Sequence, residues 1–246
     1  MRMIETTTRV FPFTYKVIWF SDEPEDADGC DSVIYRLCRN KVDKNGFRCI
    51  DEYHTLVIDL TQDLDKIWQG MSKSNVRKPV NQAIKSGVQI RRNENYEIFY
   101  DMYDRFRKEK GFKGSDISIE YMKRYGTLFT SVHEGEVLGG MFYLEDPDNI
   151  IEIITASKRF DVDKEKRNFI GAANKLLVWE VIRYAKAKGI KQYDRGGFYV
   201  GDASNEELEK VNTYKQSFGG ELVTKYSYRK DYSLPAWLLK KYVLKN

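Results

Sequence analysis

Two short runs near the start, Tyr15 to Phe20 (YKVIWF) and Ser32 to Cys38 (SVIYRLC), are dense in β-branched and aromatic residues and predict strands. The acidic stretch Ser21 to Gly29 (SDEPEDADG) separates them as a turn region. Asp43-Lys44-Asn45-Gly46 carries the Asn-Gly signal of a tight turn and leads into another strand near Phe47 to Ile50. Residues 1–54 therefore read as an N-terminal β extension. Thr55 to Leu60 (TLVIDL) predicts a strand, followed by a helix over Leu64 to Met71. Ser72 to Ser86 reads as helical and is ended by Gly87, with Pro79 either kinking it or starting a second helix. Val88 to Arg91 is short and extended. Over Tyr96 to Lys110, Ile98, Phe99, Met102, Tyr103 and Phe106 fall on one helical stripe, closed by Gly111.

The pattern then changes to strands at Leu128 to His133, Val137 to Leu144 and Ile150 to Ala156. They are joined at Glu134-Gly135 and at Asp146-Pro147-Asp148-Asn149, an antiparallel meander. A long helix is predicted over Phe169 to Lys188, with Ile170, Ala173, Leu177, Val181 and Tyr184 on one face and Gly189 at its end. Ile190 to Asp194 reads as a strand closed by Gly196-Gly197. Ser204 and Glu207 form a capping box for a helix running to Phe218, stopped by Gly219-Gly220. Leu222 to Tyr228 is a last strand and Trp237 to Tyr242 a terminal helix. The fold class is mixed α/β: a central, largely antiparallel sheet flanked by helices over residues 55–246, plus the β extension.

Composition narrows the function. At 246 residues, 41% hydrophobic and 32% charged, the chain has the make-up of an ordinary globular protein with room for a substantial core. No apolar run reaches the ~20 residues that cross a bilayer. Met1 to Arg9 lacks the basic-then-apolar plan of a signal peptide, so the expected compartment is the cytoplasm. Cys30, Cys38 and Cys49 form no CxxC pair and, with His54, match no zinc spacing; they read as reduced thiols, and no metal site is assigned. His54 and His133 are the two histidines, and neither sits near a nucleophile signature. The net charge is only +4, but Lys66 to Asn93 contains no acid and carries Lys66, Lys73, Arg77, Lys78, Lys85, Arg91 and Arg92. Such a stretch attracts phosphates, with Lys73, Arg77 and Lys78 the candidate contacts, unless it is a solvated helix face.

Lys215 is the leading candidate for chemistry. With Leu208, Val211 and Phe218 it repeats at three, four and three, placing an ammonium on an otherwise apolar stripe. Such a charge has to face a carboxylate or a developing negative charge, unless its stem packs while its head reaches solvent. Asp194 ends a strand beside Gly196-Gly197, where backbone approaches a ligand closely, and it orients the amine, accepts its proton or simply pairs with Lys215. Arg195 and Tyr199 follow it as candidate binding residues. Tyr214 is a candidate general acid, with a buried structural tyrosine as the other reading.

Four segments carry a family resemblance: Ala173-Asn174-Lys175-Leu176-Leu177-Val178-Trp179-Glu180; Tyr184-Ala185-Lys186-Ala187-Lys188-Gly189; Tyr193-Asp194-Arg195-Gly196-Gly197; and Tyr214-Lys215-Gln216-Ser217-Phe218-Gly219-Gly220. Together with Ser74 to Val88 they resemble the Fem-type (FemABX) branch of the GNAT acyltransferase superfamily. The resemblance implies a GNAT fold that transfers an acyl or aminoacyl group from an activated ester or thioester to an amine of a cell-envelope precursor, glycan or peptide. It implies no permanently bound cofactor, and a donor that is either charged tRNA or acyl-CoA. The family's wall enzymes carry two GNAT-like domains, whereas one full domain fits here; a homodimer would supply a second.

The resemblance also implies that a splayed strand, Ile151 to Ser157, and the loop Arg159 to Gly171 hold the donor. In that loop Lys164, Lys166 and Arg167 lie near the helix N-terminus as candidate phosphate contacts. The loop lacks an Arg/Gln-x-x-Gly-x-Gly/Ala motif, which counts against acetyl-CoA. An acyl-CoA-dependent enzyme acting on an amino sugar or amino acid, and a non-catalytic module binding tRNA or a partner, stay open.

Overall fold

The computed structural model describes residues 4–10, 12–111, 117–160, 162–201 and 205–233. The chain forms two compact units, one of residues Met1–Thr55, Gly197–Val200 and Leu222–Asn246, the other of Leu56–Gly196 and Gly201–Glu221. In the first, β1 (Ile4–Val10) pairs antiparallel with β2 (Phe13–Trp19), β2 runs parallel to β3 (Ser32–Cys38), and β3 pairs antiparallel with the late strand β10 (Glu221–Asp231). Ile18, Val33, Tyr35, Cys38 and Tyr228 form its core. Burial pushes the Cys38 thiol up to about 12, so it is protonated and inert at neutral pH. The Asn45-Gly46 turn is present, with Phe47 N–H donating to Lys44 C=O at 2.9 Å. The strand after it, β4 (Arg48–Asp59), is continuous for 12 residues and absorbs the two strands expected at 47–50 and 55–60. β1 has no counterpart in the sequence reading.

The second unit contains the meander as expected: β6 (Gly126–His133), β7 (Glu136–Glu145) and β8 (Asn149–Ser157) pair antiparallel in order, with β5 (Gln89–Arg92) outside β6 and β9 (Gln192–Gly197) parallel to β8. α1 (Leu64–Gly70) is followed by a π-helical turn over Lys73–Arg77 and then α2 (Lys78–Lys85). Pro79 thus falls in the first turn of α2, directly after the π-helical turn, so the helix changes type at the proline instead of running on unaltered. One face of the sheet carries α2 and α5 (Lys164–Ala187) over Met141, Tyr143, Ile150 and Tyr193; Trp179 packs at 4.6 Å on Trp68. The other face carries α3 (Tyr96–Glu109) and α4 (Ile119–Tyr125), with Phe99 and Met102 buried. Ile98, expected on the α3 stripe, is exposed, and α4 was not foreseen.

Two helix starts differ from expectation. α5 begins five residues early because Asp163 caps it, its carboxylate accepting from Lys166 N–H at 2.8 Å. α6 (Glu206–Gln216) is capped by Asn205 accepting from Leu208 N–H; Ser204, expected to form the capping box, lies outside the described residues, as does the helix expected at 237–242.

Gly126 fixes where β6 enters the sheet: a Cβ there would sit 2.1 Å from the Tyr143 carbonyl oxygen and 2.5 Å from the Phe142 ring. Gly126→Ala is therefore expected to lower stability by about 1–3 kcal/mol, the cost of forcing a methyl into packed backbone. Gly70→Ala, where nothing lies within 4 Å, serves as the control and should be neutral or slightly stabilising. Urea unfolding of the two variants checks the contrast.

Candidate active site

β8 and β9 pair only briefly. Asn149–Ile151 lie against Gln192–Asp194, and the ladder stops there although β8 continues along β7 to Ser157 and β9 continues through Arg195. The two strands part at Glu152. A bulge helps to part them: Tyr143 faces Glu152 and Phe142 faces Ile154, leaving Ile153 without a partner on β7. Because one residue is skipped, Glu152 and Thr155 fall on the same face of the sheet, the one that carries α5. Thr155 is exposed, and its Oγ1 donates to Glu152 Oε1 at 2.6 Å.

Across the fork stands Arg195, whose side chain is entirely inaccessible. Its Nη1 donates to Glu152 Oε2 at 2.8 Å and to Tyr193 Oη at 2.9 Å. Tyr193 Oη lies 3.0 Å from Tyr143 Oη, which donates to Met141 Sδ at 3.2 Å. Since Tyr143 spends its one hydroxyl proton on Met141, it accepts from Tyr193, and the chain of donors runs one way from the guanidinium into the core. Burial holds both phenols neutral, with pKa values well above the usual tyrosine range. Burial also works against the charge on Arg195, but Tyr193 and Glu152 more than offset it.

Three rings surround the guanidinium carbon: Phe218 at 4.6 Å, Tyr214 at 5.6 Å and Tyr193 at 5.7 Å. Phe218 is buried in the core and meets Tyr214 edge-on at 5.3 Å. Gly219 and Gly220 then turn the chain at φ 80° and 101°, with Val57 C=O only 2.8 Å from where a Gly220 Cβ would lie. The Lys-x-x-Phe-Gly-Gly ending is thus a device that seats one ring on Arg195 and leaves Lys215 a turn away.

Lys215 is half-buried. Burial lowers its pKa and Arg195 adds to the lowering, while Glu152 and Asp194 pull the other way, so its ammonium shares the field of the same cluster. The apolar stripe used to place it is not a buried face, because Leu208 and Val211 are exposed and Asn212 is the residue of α6 that is buried. Tyr214 is half-buried, with its pKa raised by burial against the pull of Arg195. Asp194 is buried, and its Oδ1 accepts from Gly196 N–H at 2.8 Å. Lys215, Tyr214, Asp194 and Arg195 are therefore brought together.

Three further charged residues were not singled out by the sequence; Glu152 lies in the fork, and Arg159 is near enough to act on Tyr214. Glu152 carried a legible signal, a lone acid inside the apolar strand IIEIITAS. Arg159 and Lys175 carried none: Arg159 lies over Gly171, with Cζ 3.7 Å from where a Cβ would be, and it adds to the lowering that burial imposes on the Lys175 pKa. Buried Asn174 Oδ1 has no hydrogen-bond partner among the described residues.

The remaining candidates lie elsewhere. Lys164, Lys166 and Arg167 are exposed in the first turn of α5 rather than in a loop, and Lys166 pairs with Glu136 at 3.1 Å. With Asp163 and Glu165 beside them, this helix start is not a bare anion site. Lys73 and Lys78 are exposed, whereas Arg77 is tied down locally, donating to Met71 C=O at 3.1 Å and to Gln69 Oε1 at 2.5 Å. Tyr199 falls within Gly197–Val200 of the first unit.

No family model matches the sequence, and no curated protein matches it. Solved structures do match. A crystal structure of FemX aligns over 97% of this chain and 86% of its own at TM-score 0.66 and 15% identity. The C-terminal domain of a putative lysylphosphatidylglycerol synthetase from Agrobacterium fabrum aligns over 96% and 86% at TM-score 0.57 and 9% identity. L-PGS from Bacillus licheniformis aligns over 96% and 84% at TM-score 0.56 and 11% identity. The chain shares the fold of FemX, mixed α/β on a largely antiparallel sheet.

Proposed function

We propose that this protein is an N-acyltransferase of the Fem type. It moves an aminoacyl group from an activated ester, in the first instance charged tRNA, to an amine of a cell-envelope precursor, glycan or peptide. One observation carries the reading: where β8 and β9 part, Lys215 and Arg195 converge with Glu152 on a largely buried site. Acyl transfer to an amine passes through a tetrahedral oxyanion, and a partly desolvated ammonium is the kind of group that stabilises it. Lys215 takes that role. Asp194 and Tyr214 are the proposed proton-handling groups, and Arg195 binds beside them. The likeness to FemX supports the fold on which this chemistry would run.

The choice of tRNA over acyl-CoA rests on the start of α5. Asp163 fills the cap with its own carboxylate, and Glu165 and Glu136 stand close by, so a CoA diphosphate would meet like charge there. Lys73 and Lys78 are the proposed phosphate contacts for the tRNA. Among the described residues no helix is long and apolar enough to cross a membrane; we place the reaction in the cytoplasm, where charged tRNA is made.

Transfer assays with charged tRNA, acyl-CoA and acyl carrier protein test the donor, and product from acyl-CoA alone would overturn the tRNA assignment. Lys215→Met keeps the stem and removes the charge; turnover should fall ~10²–10³-fold with little change in substrate affinity. Turnover within a few-fold of wild type would return Lys215 to a packing role.

The same variant gives a stability test with a defined sign. The folded pKa of Lys215 lies below its unfolded value, so below the folded pKa the wild type bears the cost of keeping a desolvated ammonium. That cost is relieved as pH rises from the folded toward the unfolded pKa. The melting temperature of wild type relative to Lys215→Met should therefore rise over that alkaline window, and a difference independent of pH would contradict the burial of the charge.

Binding of charged tRNA should weaken steeply with salt, and the Lys73→Glu/Lys78→Glu double variant should weaken it further with a shallower salt slope. These two exposed lysines are the right targets, because reversing Arg77 would also break its bonds to Met71 and Gln69. A flat salt response would make this stretch a solvated surface.

A further inference from the structure

We infer that Arg195 is a receptor for an oxyanion of a bound substrate, a carboxylate or a phosphate, held through its Nε/Nη2 edge in the fork between β8 and β9. An arginine can use that edge as a planar pair of parallel donors that matches two oxygens of either group. In this protein Nη1 is fully committed, its two hydrogens going to Glu152 at 2.8 Å and Tyr193 at 2.9 Å. Nε and Nη2 are buried and, among the described residues, make no hydrogen bond. The Tyr214 hydroxyl is close enough to Arg195 for a weak hydrogen bond that lowers its pKa against burial, yet Nε and Nη2 keep no acceptor at normal hydrogen-bond geometry. Two adjacent buried donors left without acceptors are costly, and each such group in a native protein calls for an explanation.

The surroundings favour an anion. Arg159, which acts on Tyr214, and Lys215 add two cations to Arg195, against the two carboxylates of Glu152 and Asp194. The parted strands lead from exposed Thr155, through its bond to Glu152, to the guanidinium, which is itself covered from water. Glu152 and Tyr193 are positioning residues in this arrangement: by occupying Nη1 they fix the guanidinium plane and leave the other edge for the ligand, while Phe218 supports it from its face.

The inference rests on the fork being the substrate site, but its test is binding rather than turnover. A protein that transfers no acyl group and still takes an anion at Arg195 would sink only the acyltransferase reading. A protein that transfers but takes none would sink only this one. The first measurement is the Arg195 Nε–H resonance of the full chain in ¹H–¹⁵N spectra, titrated separately with inorganic phosphate and with acetate at constant ionic strength in chloride. The resonance is assigned by its loss in Arg195→Lys, or by its ring-current shift in Phe218→Leu should Arg195→Lys not fold. Saturable movement with phosphate alone identifies a phosphate-bearing substrate, and movement with acetate alone a carboxylate; either supports the proposal. No saturable movement with either anion overturns it. The second measurement is the Kd of the anion by calorimetry, which should be roughly tenfold weaker in Tyr193→Phe, where the plane is no longer fixed through that hydroxyl, if one charge-assisted bond is lost. An unchanged Kd in folded Tyr193→Phe would overturn the positioning.

Discussion

The ion pair between Arg195 and Glu152 is the interaction on which the site depends. It spans two strands at the point where their own hydrogen bonds have ended, and so holds across a gap that backbone no longer closes. Arg195 has no access to water, so removing Glu152 would leave a buried cation, a change that costs about 3–5 kcal/mol in comparable pairs. A stable fold has little reason to take on that liability when apolar residues would fill the space at least as well. Its presence at the mouth of a strand fork points to use rather than to cohesion.

Around this pair the protein arranges charge at graded depth. Arg195 is sealed, Lys215 is half-covered, and Lys73 and Lys78 stand in solvent. Depth governs what each can do: exposed lysines attract at long range and are screened by salt, while buried ones act strongly on atoms in contact. A polyanionic donor would be drawn in by the outer lysines and its reacting end would meet the inner ones. The acidic start of α5 belongs to the same design, keeping anions away from a helix terminus that would otherwise hold them.

Much of this was legible in the sequence and some was not, for physical reasons. The meander announced itself because apolar strands of regular length are punctuated by Glu134-Gly135 and Asp146–Asn149. β1 did not, since its ETTTR stretch has no apolar alternation and pairs only because β2 lies beside it. The early start of α5 was hidden by five polar or charged residues before Phe169, with Asp163 the sole cue. Lys215 was singled out on a stripe that turned out to face solvent. The helix ends at Gln216, so Phe218 is buried by the turn that follows and not by the α6 face that the spacing assumed. Arg195 was read as a candidate binding residue with no sign of its depth; nothing local distinguishes a sealed arginine from an exposed one, because its burial is made by Tyr193, Tyr214 and Phe218 from separate segments.

The extra residue at Ile153 has a consequence for how this strand tolerates change over evolutionary time. Upstream of it even-numbered positions look toward α5, and downstream odd-numbered ones do, so the strand is read in two frames. A substitution leaves both frames intact, but loss or gain of one residue between Glu152 and Thr155 would exchange inside for outside over half the strand while keeping its composition. Length on this short segment is thus under tighter constraint than identity, and homologous chains should differ here by replacement and hardly ever by insertion or deletion.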